Sequence, residues 1–178
     1  MRDGEQYFTW GPDSKWLLNL DLPTIVNSEV VLLDATGKTP MRNLTKSGYS
    51  DENPMWVNEG KQILWFSNRD GLRSYATSGQ NQNDVYTLFF NQEDWDKFRL
   101  SKEDFDLMKE IEKSKKKETD SDKDKEKDKK EEVKAVKPLT FEFEGIDERK
   151  ARLSIHSSDL GDAVLSKDGE TLFYLTSF

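Results

Sequence analysis

The sequence contains no cysteine and only one histidine, His156. Without cysteine the chain has no disulfide, no cysteine nucleophile and no thiolate ligand for a metal. No apolar run approaches the eighteen or so residues that span a bilayer, and the first ten residues lack the apolar core of a signal peptide. These absences predict that no segment spans a membrane, and they leave the compartment open.

Hydrophobic residues are also scarce, at 34% against 35% charged residues. The deficit is local, because residues 113–137 contain eleven lysines, eight acidic residues and almost nothing apolar. Such a segment cannot bury enough surface to offset its ordering entropy. Its interleaved carboxylates cancel most of the lysine charge. The chain as a whole carries a net charge of −8, which argues against a nucleic-acid partner.

A turn followed by an alternating apolar run occurs three times, in "WGPDSKWLLNLDL", "WVNEGKQILWFSNRDG" and "LSKDGETLFYLTS". Aligning the three turns places Lys15, Lys61 and Glu170 in register, at offsets of 46 and then 109 residues. A repeat of about 40 to 50 residues is the period of a β-propeller blade. The longer offset therefore indicates one blade that carries an insertion.

The first repeat unit predicts four short strands joined by turn-forming residues. These strands run from Tyr7 to Trp10, Trp16 to Leu20, Glu29 to Leu33 and Met41 to Leu44. Four antiparallel strands in about forty residues make one blade.

The second repeat unit contains "NPMWV", "QILWFS" and "NDVYTLFF" and then changes to a helical pattern. Asn91 and Ser101 are each followed three residues later by an acid, which predicts two helix starts. Pro138 ends the helical region, and the alternating segment "LTFEFEGIDERKARLSI" then returns as the missing strand of this blade.

The fold class predicted from these patterns is all-β: a partial β-propeller of about two and a half four-stranded antiparallel blades with a charged helical insertion. Because two and a half blades do not close a ring, we expect either a piece of a longer protein or an open assembly that pairs with itself. The predicted units are a blade at 1–50, the first strands of a second blade at 51–90, the Lys/Glu/Asp-rich helical insertion at 91–137, a return strand at 138–160 and the start of a third blade at 161–178.

The ordered combination of "SNRDGLRSYA", the charged insertion and "GIDERKARLSIHSSDLGDAVLS" resembles the second propeller region of the tricorn-type serine peptidases. The resemblance covers nearly the whole chain. It implies a non-catalytic propeller segment that scaffolds the protease and guides or gates peptide substrates, with proteolysis carried out elsewhere in the parent chain. The implied partners are those peptides, the rest of the propeller and the catalytic region, with a homo-oligomer left open. The bacterial members of the family suggest a periplasmic or cell-envelope setting.

Four residues in "SNRDGLRSYA" are the most site-like group in the sequence. An arginine-rich loop with an aromatic residue at a blade edge suits a peptide carboxylate. The alternative is an Asp-Gly hairpin with ordinary exposed charges. The candidate substrate-contact residues are Arg69, Asp70, Arg73 and Tyr75.

Other motifs favour plain structural interpretations. His156 lies among serines on one short stretch, where a Ser/His/Asp site seldom finds its geometry. "ATGKTP" has leucine where a phosphate-binding loop needs its first glycine. Residues 120–131 have the acidic spacing of a calcium loop but Lys125 at its glycine position. We therefore predict no catalytic residue, metal site or cofactor in this chain.

The alternative hypothesis is a propeller-type binding module without peptidase activity, in which the charged helix engages another protein. Recurrent tryptophans are expected to pack between blades rather than to form a ligand cage. They are Trp10, Trp16, Trp56 and Trp65. The sequence leaves peptide preference, blade number and oligomeric state open.

Overall fold

The computed structural model describes residues 8–74, 81–120 and 138–177. These residues form three antiparallel sheets and two α-helices, with two 3-10 turns. The chain is therefore mostly β. The described residues form no closed propeller ring, and the number of blades stays a prediction.

The first sheet consists of β1 (Phe8–Trp10), β2 (Trp16–Asp21), β3 (Glu29–Asp34) and β4 (Arg42–Asn43), paired in chain order. Its first two strands are joined by a short polar turn. Gly11 N donates to Trp16 O at 2.7 Å, and Asp13 accepts from Lys15 N at 3.0 Å. The predicted start of the first strand at Tyr7 lies outside the described residues.

The second sheet consists of β5 (Asp51–Val57), β6 (Gln62–Ser67), β7 (Asp84–Phe89) and β8 (Lys150–Arg152), again paired in chain order. Every residue of β6 and β7 is buried. The register of β5 shifts between Glu52 and Met55, where Asn53 adopts a φ of 49° and precedes Pro54. A bulge on an edge strand is a place where proline is tolerated.

The turn between β5 and β6, Asn58–Gly60, requires its glycine. Gly60 has a φ of +87°, and a Cβ there would lie 2.5 Å from Leu139 Cδ2 and 2.8 Å from Pro12 Cγ. The turn therefore packs directly against the equivalent turn of the first sheet and against the chain that returns from the insertion.

The third sheet is a two-stranded pair of β9 (Asp159–Leu165) and β10 (Leu172–Ser177). One face packs on the second sheet, because Leu160 and Ala163 share a buried cluster with Leu64, Phe66 and Val85. The opposite face is exposed.

Two helices follow β7: α1 (Gln92–Phe98) and α2 (Lys102–Asp120). Ser101 caps α2, since its Oγ accepts from Asp104 N at 3.1 Å. The same capping was predicted for Asn91, but its side chain makes no capping hydrogen bond. Within the described ranges, no helix combines the length and the apolar character that crossing a membrane requires.

The main core lies between the first and second sheets. It joins residues of the first sheet, such as Leu18 and Leu32, to residues of the second, such as Ile63 and Leu88. Phe90 is completely buried there and contacts Phe141, with ring centroids 4.4 Å apart.

The predicted return strand is much shorter than expected. Residues 139–144 alternate in the sequence but belong to no strand. The segment pairs with β7 only at the strand Lys150–Arg152, and one isolated bridge joins Ser158 to Asn83. The alternation has a different physical cause, because Phe141 and Phe143 pack against the main core from a segment that runs alongside the sheet.

Candidate functional site

The strongest concentration of polar groups lies at one end of the second sheet. Asp51, Ser67 and Asp84 stand in register on three neighbouring strands, β5, β6 and β7. Their exposed fractions are 0%, 2% and 0%. Burying two carboxylates is costly unless hydrogen bonds or cations compensate for the lost water.

Asp84 is compensated by one cation and two hydroxyl groups. Arg152 forms an ion pair with Asp84 Oδ1 at 2.9 Å. Ser154 Oγ donates to the same oxygen at 2.6 Å, and Ser157 Oγ donates to Oδ2 at 2.7 Å. Because Arg152 and the serines come from the chain after the insertion, Asp84 fixes that chain to β7.

Asp51 is compensated by neutral donors. Trp65 Nε1 donates to Asp51 Oδ1 at 3.2 Å, and Ser47 Oγ donates to Oδ2 at 2.7 Å. Burial raises the pKa of the Asp51 carboxyl, and the negative charge of Glu29 acts in the same direction. Asp51 therefore retains its proton to a higher pH than an exposed aspartate.

Glu29 holds the connection that leads into β5. Its carboxylate accepts from Thr45 Oγ1 at 2.7 Å, Ser47 N at 2.9 Å and Gly48 N at 2.7 Å. This connection carries Tyr49, which follows Gly48 directly. The buried Glu29 carboxylate thus fixes the position of the loop that carries Tyr49.

The structure distributes the candidate substrate-contact residues over two places. Arg69 lines a cavity of about 80 Å³ together with Asp51, Trp65 and Tyr86. Arg73 lines a separate cleft of about 300 Å³, where its guanidinium lies 4.5 Å from the ring centroid of Tyr49. The first volume suits a few water molecules, whereas the second is large enough for a small polar group or a chain end.

Asp70 has a structural partner, because the hydroxyl of Tyr86 donates to its carboxylate. Burial raises the pKa of Tyr86, and the hydrogen bond to Asp70 raises it further. Tyr75 lies outside the described residues. Whether Arg69, Asp70, Arg73 and Tyr75 contact a ligand stays a prediction.

The tight Asp-Gly hairpin considered for this loop is not formed. Gly71 instead allows the two ends of the β6–β7 connection to meet, because a Cβ there would lie 2.0 Å from Gln82 O. The cleft beside Arg73 is also lined by polar side chains from both ends of the connection and from its neighbours: Asn27, Ser50, Asn68, Ser74 and Asn81.

Other motifs take structural roles in the described residues. His156 is exposed in a bend, while the neighbouring Ser154 and Ser157 direct their hydroxyls to Asp84. Directly before "ATGKTP", Asp34 accepts hydrogen bonds from Thr36 and Thr39 of the motif, which lower the pKa of Asp34 to about 2. The calcium-like spacing falls almost entirely outside the described residues.

The polar cluster around Asp84 was not found by sequence reasoning. Its members are separated by about seventy positions, as in the pair of Asp84 and Ser154. The sequence offered one sign of this cluster, which is that Asp84 begins the apolar strand "DVYTLF". That position indicates a buried acid but does not identify its partners.

Comparisons with known proteins give one structural similarity to report. A scan against protein-family models finds no match, and no curated protein matches the sequence. A crystal structure of the tricorn protease is similar at a TM-score of 0.48 and 10% identity, over 88% of this chain. The match covers 14% of that protein, so this chain corresponds to a small part of its length.

Proposed function

We propose that this chain is a non-catalytic β-propeller segment of a tricorn-like serine peptidase, which scaffolds the protease and guides peptide substrates to an active site elsewhere in the parent protein. The single observation that supports this most is the pair of four-stranded sheets with the same antiparallel order. They pack through one core to which both contribute, as expected for successive units of a repeat architecture.

The guiding role is assigned to the cleft beside Arg73. A guanidinium offers a bidentate fork to a carboxylate, and Tyr49 holds that of Arg73 in place from one side. The amides of Asn68 and Asn81 line the same cleft and supply further donors for a peptide end. Arg69, Asp70 and Tyr75 are the other substrate-contact candidates of the same loop, and Arg69 lines a cavity separate from this cleft.

The scaffold role is tested by proteolysis. The natural protein that carries this sequence is compared with the 178-residue chain on a mixture of fluorogenic peptides, with and without a serine-reactive inhibitor. We expect inhibitor-sensitive cleavage by the natural protein alone. Cleavage by the 178-residue chain, or no cleavage by either, contradicts the proposal.

The role of the cleft is tested in the natural protein with Arg73→Gln. We expect KM for peptides with a free carboxyl end to rise about tenfold, because a charge-assisted contact is lost, while amidated peptides are unaffected. Arg42→Gln is the matched control, because Arg42 also lies over an aromatic ring, that of Phe143 at 3.9 Å. An equal effect of both variants contradicts the assignment.

A binding module without peptidase activity is the second candidate, and one observation favours it. Leu107 and Ile111 on α2 are 57% and 47% exposed. Exposed apolar residues on a helix suit a protein partner. If the natural protein shows no peptidase activity but loses a bound protein on Leu107→Glu, this candidate replaces the first.

A further inference from the structure

A second groove lies on the side of the molecule where the second and third sheets meet. It has a volume of about 500 Å³ and is formed by β5 on one side and β9 on the other. We call it the edge groove. β5 lines it with Met55, Trp56 and Val57, and β9 lines it with Ala163, Val164 and Leu165.

Both strands that form the edge groove lie at the edge of a sheet in the described part of the chain. β5 pairs only with β6, and β9 pairs only with β10. An edge strand presents unpaired N–H and C=O groups, which another extended chain can use. The groove therefore combines apolar side chains with free backbone groups.

The hydrogen-bond pattern shows which backbone groups of β9 face outward. Ser166 N donates to Thr171 O at 2.8 Å, so this pair at the turn is a hydrogen-bonded one. Bonded and non-bonded pairs alternate along an antiparallel ladder. Leu165 and Ala163, opposite Leu172 and Tyr174, are then non-bonded, and their N–H and C=O groups point toward the edge groove.

One of these outward groups has an internal partner. Ala163 N donates to Asp162 Oδ1 at 2.8 Å, which agrees with the direction derived from the ladder. Asp162 is exposed, so its carboxylate is free to move away. Asp162 thus occupies an N–H group that an incoming strand would use, as protective charges do at natural sheet edges.

β5 is the poorer template of the two strands. Pro54 has no N–H group, and the bulge at Asn53 interrupts the register of the strand. β9 also has a bulge, at Gly161, but it has no proline and pairs in unbroken register from Asp162 to Leu165. An added strand should therefore pair with β9, while Met55 and Val57 of β5 contact its side chains.

We propose that the edge groove binds an extended peptide of alternating apolar and polar residues, which adds to β9 as a further strand and displaces the Asp162 carboxylate from Ala163 N. Strand addition of this kind takes affinity from main-chain hydrogen bonds and specificity from alternate side chains. The inference rests on the proposed function only in naming a peptide as the ligand. The pairing itself follows from the edge of β9.

The test uses the 178-residue chain and the probe peptide acetyl-Lys-Val-Thr-Val-Thr-Val-Lys-amide, followed by amide hydrogen exchange and NMR. We expect exchange of the Leu165 amide to slow at least about tenfold at saturation. The Val164 amide, already in the ladder, should not change. A matched peptide with N-methyl groups on every valine and threonine keeps the side chains but cannot donate, and it should not protect Leu165.

The Asp162→Ala variant tests the displaced contact. Removing the competing carboxylate should tighten binding of the probe about fivefold. Asp159→Ala is the control, since Asp159 is an exposed aspartate on the same strand and makes no contact with Ala163 in the described structure. Unchanged affinity in Asp162→Ala, equal binding of the N-methylated peptide, or an unprotected Leu165 amide each overturns the inference.

The two proposals fail separately. If the natural protein shows no serine-peptidase activity while the probe protects Leu165, the edge groove stands without the peptidase role. If the peptidase assay succeeds and Leu165 stays unprotected, strand addition at β9 is wrong and the peptidase assignment is unaffected.

Discussion

The second sheet and the third sheet have similar strands in different surroundings. In β6, "QILWFS", all six residues are buried, whereas in β10, "LFYLTS", half-buried and exposed residues alternate. The second sheet has a core on both faces, because one cluster joins it to the first sheet and another joins it to the third. The comparison shows that the burial of a strand is set by the layers that cover it more than by its own hydrophobicity.

The largest expected effect on stability comes from comparing a buried phenylalanine with an exposed one. Phe90 is 0% exposed and Phe173 is 62% exposed. Phe90→Ala should lower the free energy of unfolding by about 3–5 kcal/mol because it opens a cavity in a packed core. Phe173→Ala should change it by about 0.5 kcal/mol or less. Urea unfolding of both variants checks the comparison, and equal losses would contradict it.

A buried and an exposed arginine, Arg149 and Arg42, extend the comparison to charged side chains. Arg149 is 3% exposed, and its guanidinium donates to backbone carbonyls of Phe89, Phe90, Glu142 and Glu144. Arg149→Leu leaves buried carbonyl groups without donors and should cost roughly 3 kcal/mol. In the exposed Arg42, the same change should cost about 1 kcal/mol or less. A mild effect at Arg149 would mean that water replaces its hydrogen bonds.

Asp51 and Asp34 should respond to pH in opposite directions. Burial raises the pKa of folded Asp51, so the stability it contributes is present below about 3.8 and is lost as pH rises through the raised value. Hydrogen bonds from Thr36 and Thr39 lower the pKa of Asp34 to about 2, so its contribution is present above about 3.8 and is lost as pH falls toward 2.

The variants Asp51→Asn and Asp34→Asn separate these two contributions. We measure the free energy of unfolding in urea across a pH series. In Asp51→Asn, the part of its fall with rising pH that Asp51 causes should disappear. In Asp34→Asn, part of its fall at acid pH should disappear. Parallel curves for the wild type and Asp51→Asn would show that Asp51 does not titrate differently in the folded state.

The smallest expected effect concerns the helices outside the sheets. Ser101→Ala removes the side-chain N-cap hydrogen bond of α2 and should destabilise α2 by about 1 kcal/mol. Asn91→Ala should have almost no effect, because Asn91 makes no capping bond. Amide exchange of the first turn of each helix measures the difference. Equal acceleration in both helices would contradict the assignment of caps.

The first sheet could be predicted well because its information is local. The predicted strands from Trp16 and from Glu29 begin at the observed residues, since short turns and alternation define them. Residues 139–144 show the limit of that reasoning. Alternation reports which side chains face a core, and Phe141 does face one, but it does not report whether the backbone pairs.

The polar sites could not be predicted because their contacts are long-range. Arg152 and Ser157 reach Asp84 only after the chain has passed through the whole insertion. Likewise, the stacking of Arg73 on Tyr49 depends on where Glu29 holds the loop before β5. Residue types alone identified Arg69, Asp70 and Arg73 as charged loop residues, but not that they lie in different places.

The two ends of the charged insertion are bonded directly to each other. Glu142 N donates to Phe90 O at 3.1 Å, and the Glu142 carboxylate accepts from Gln92 N at 2.9 Å. With both ends anchored, doubling the length of the chain between them adds only about 0.6 kcal/mol of closure entropy. We therefore expect this position to tolerate replacement of the lysine-rich segment by a sequence of another length, and a reporter domain inserted there should leave the sheets intact.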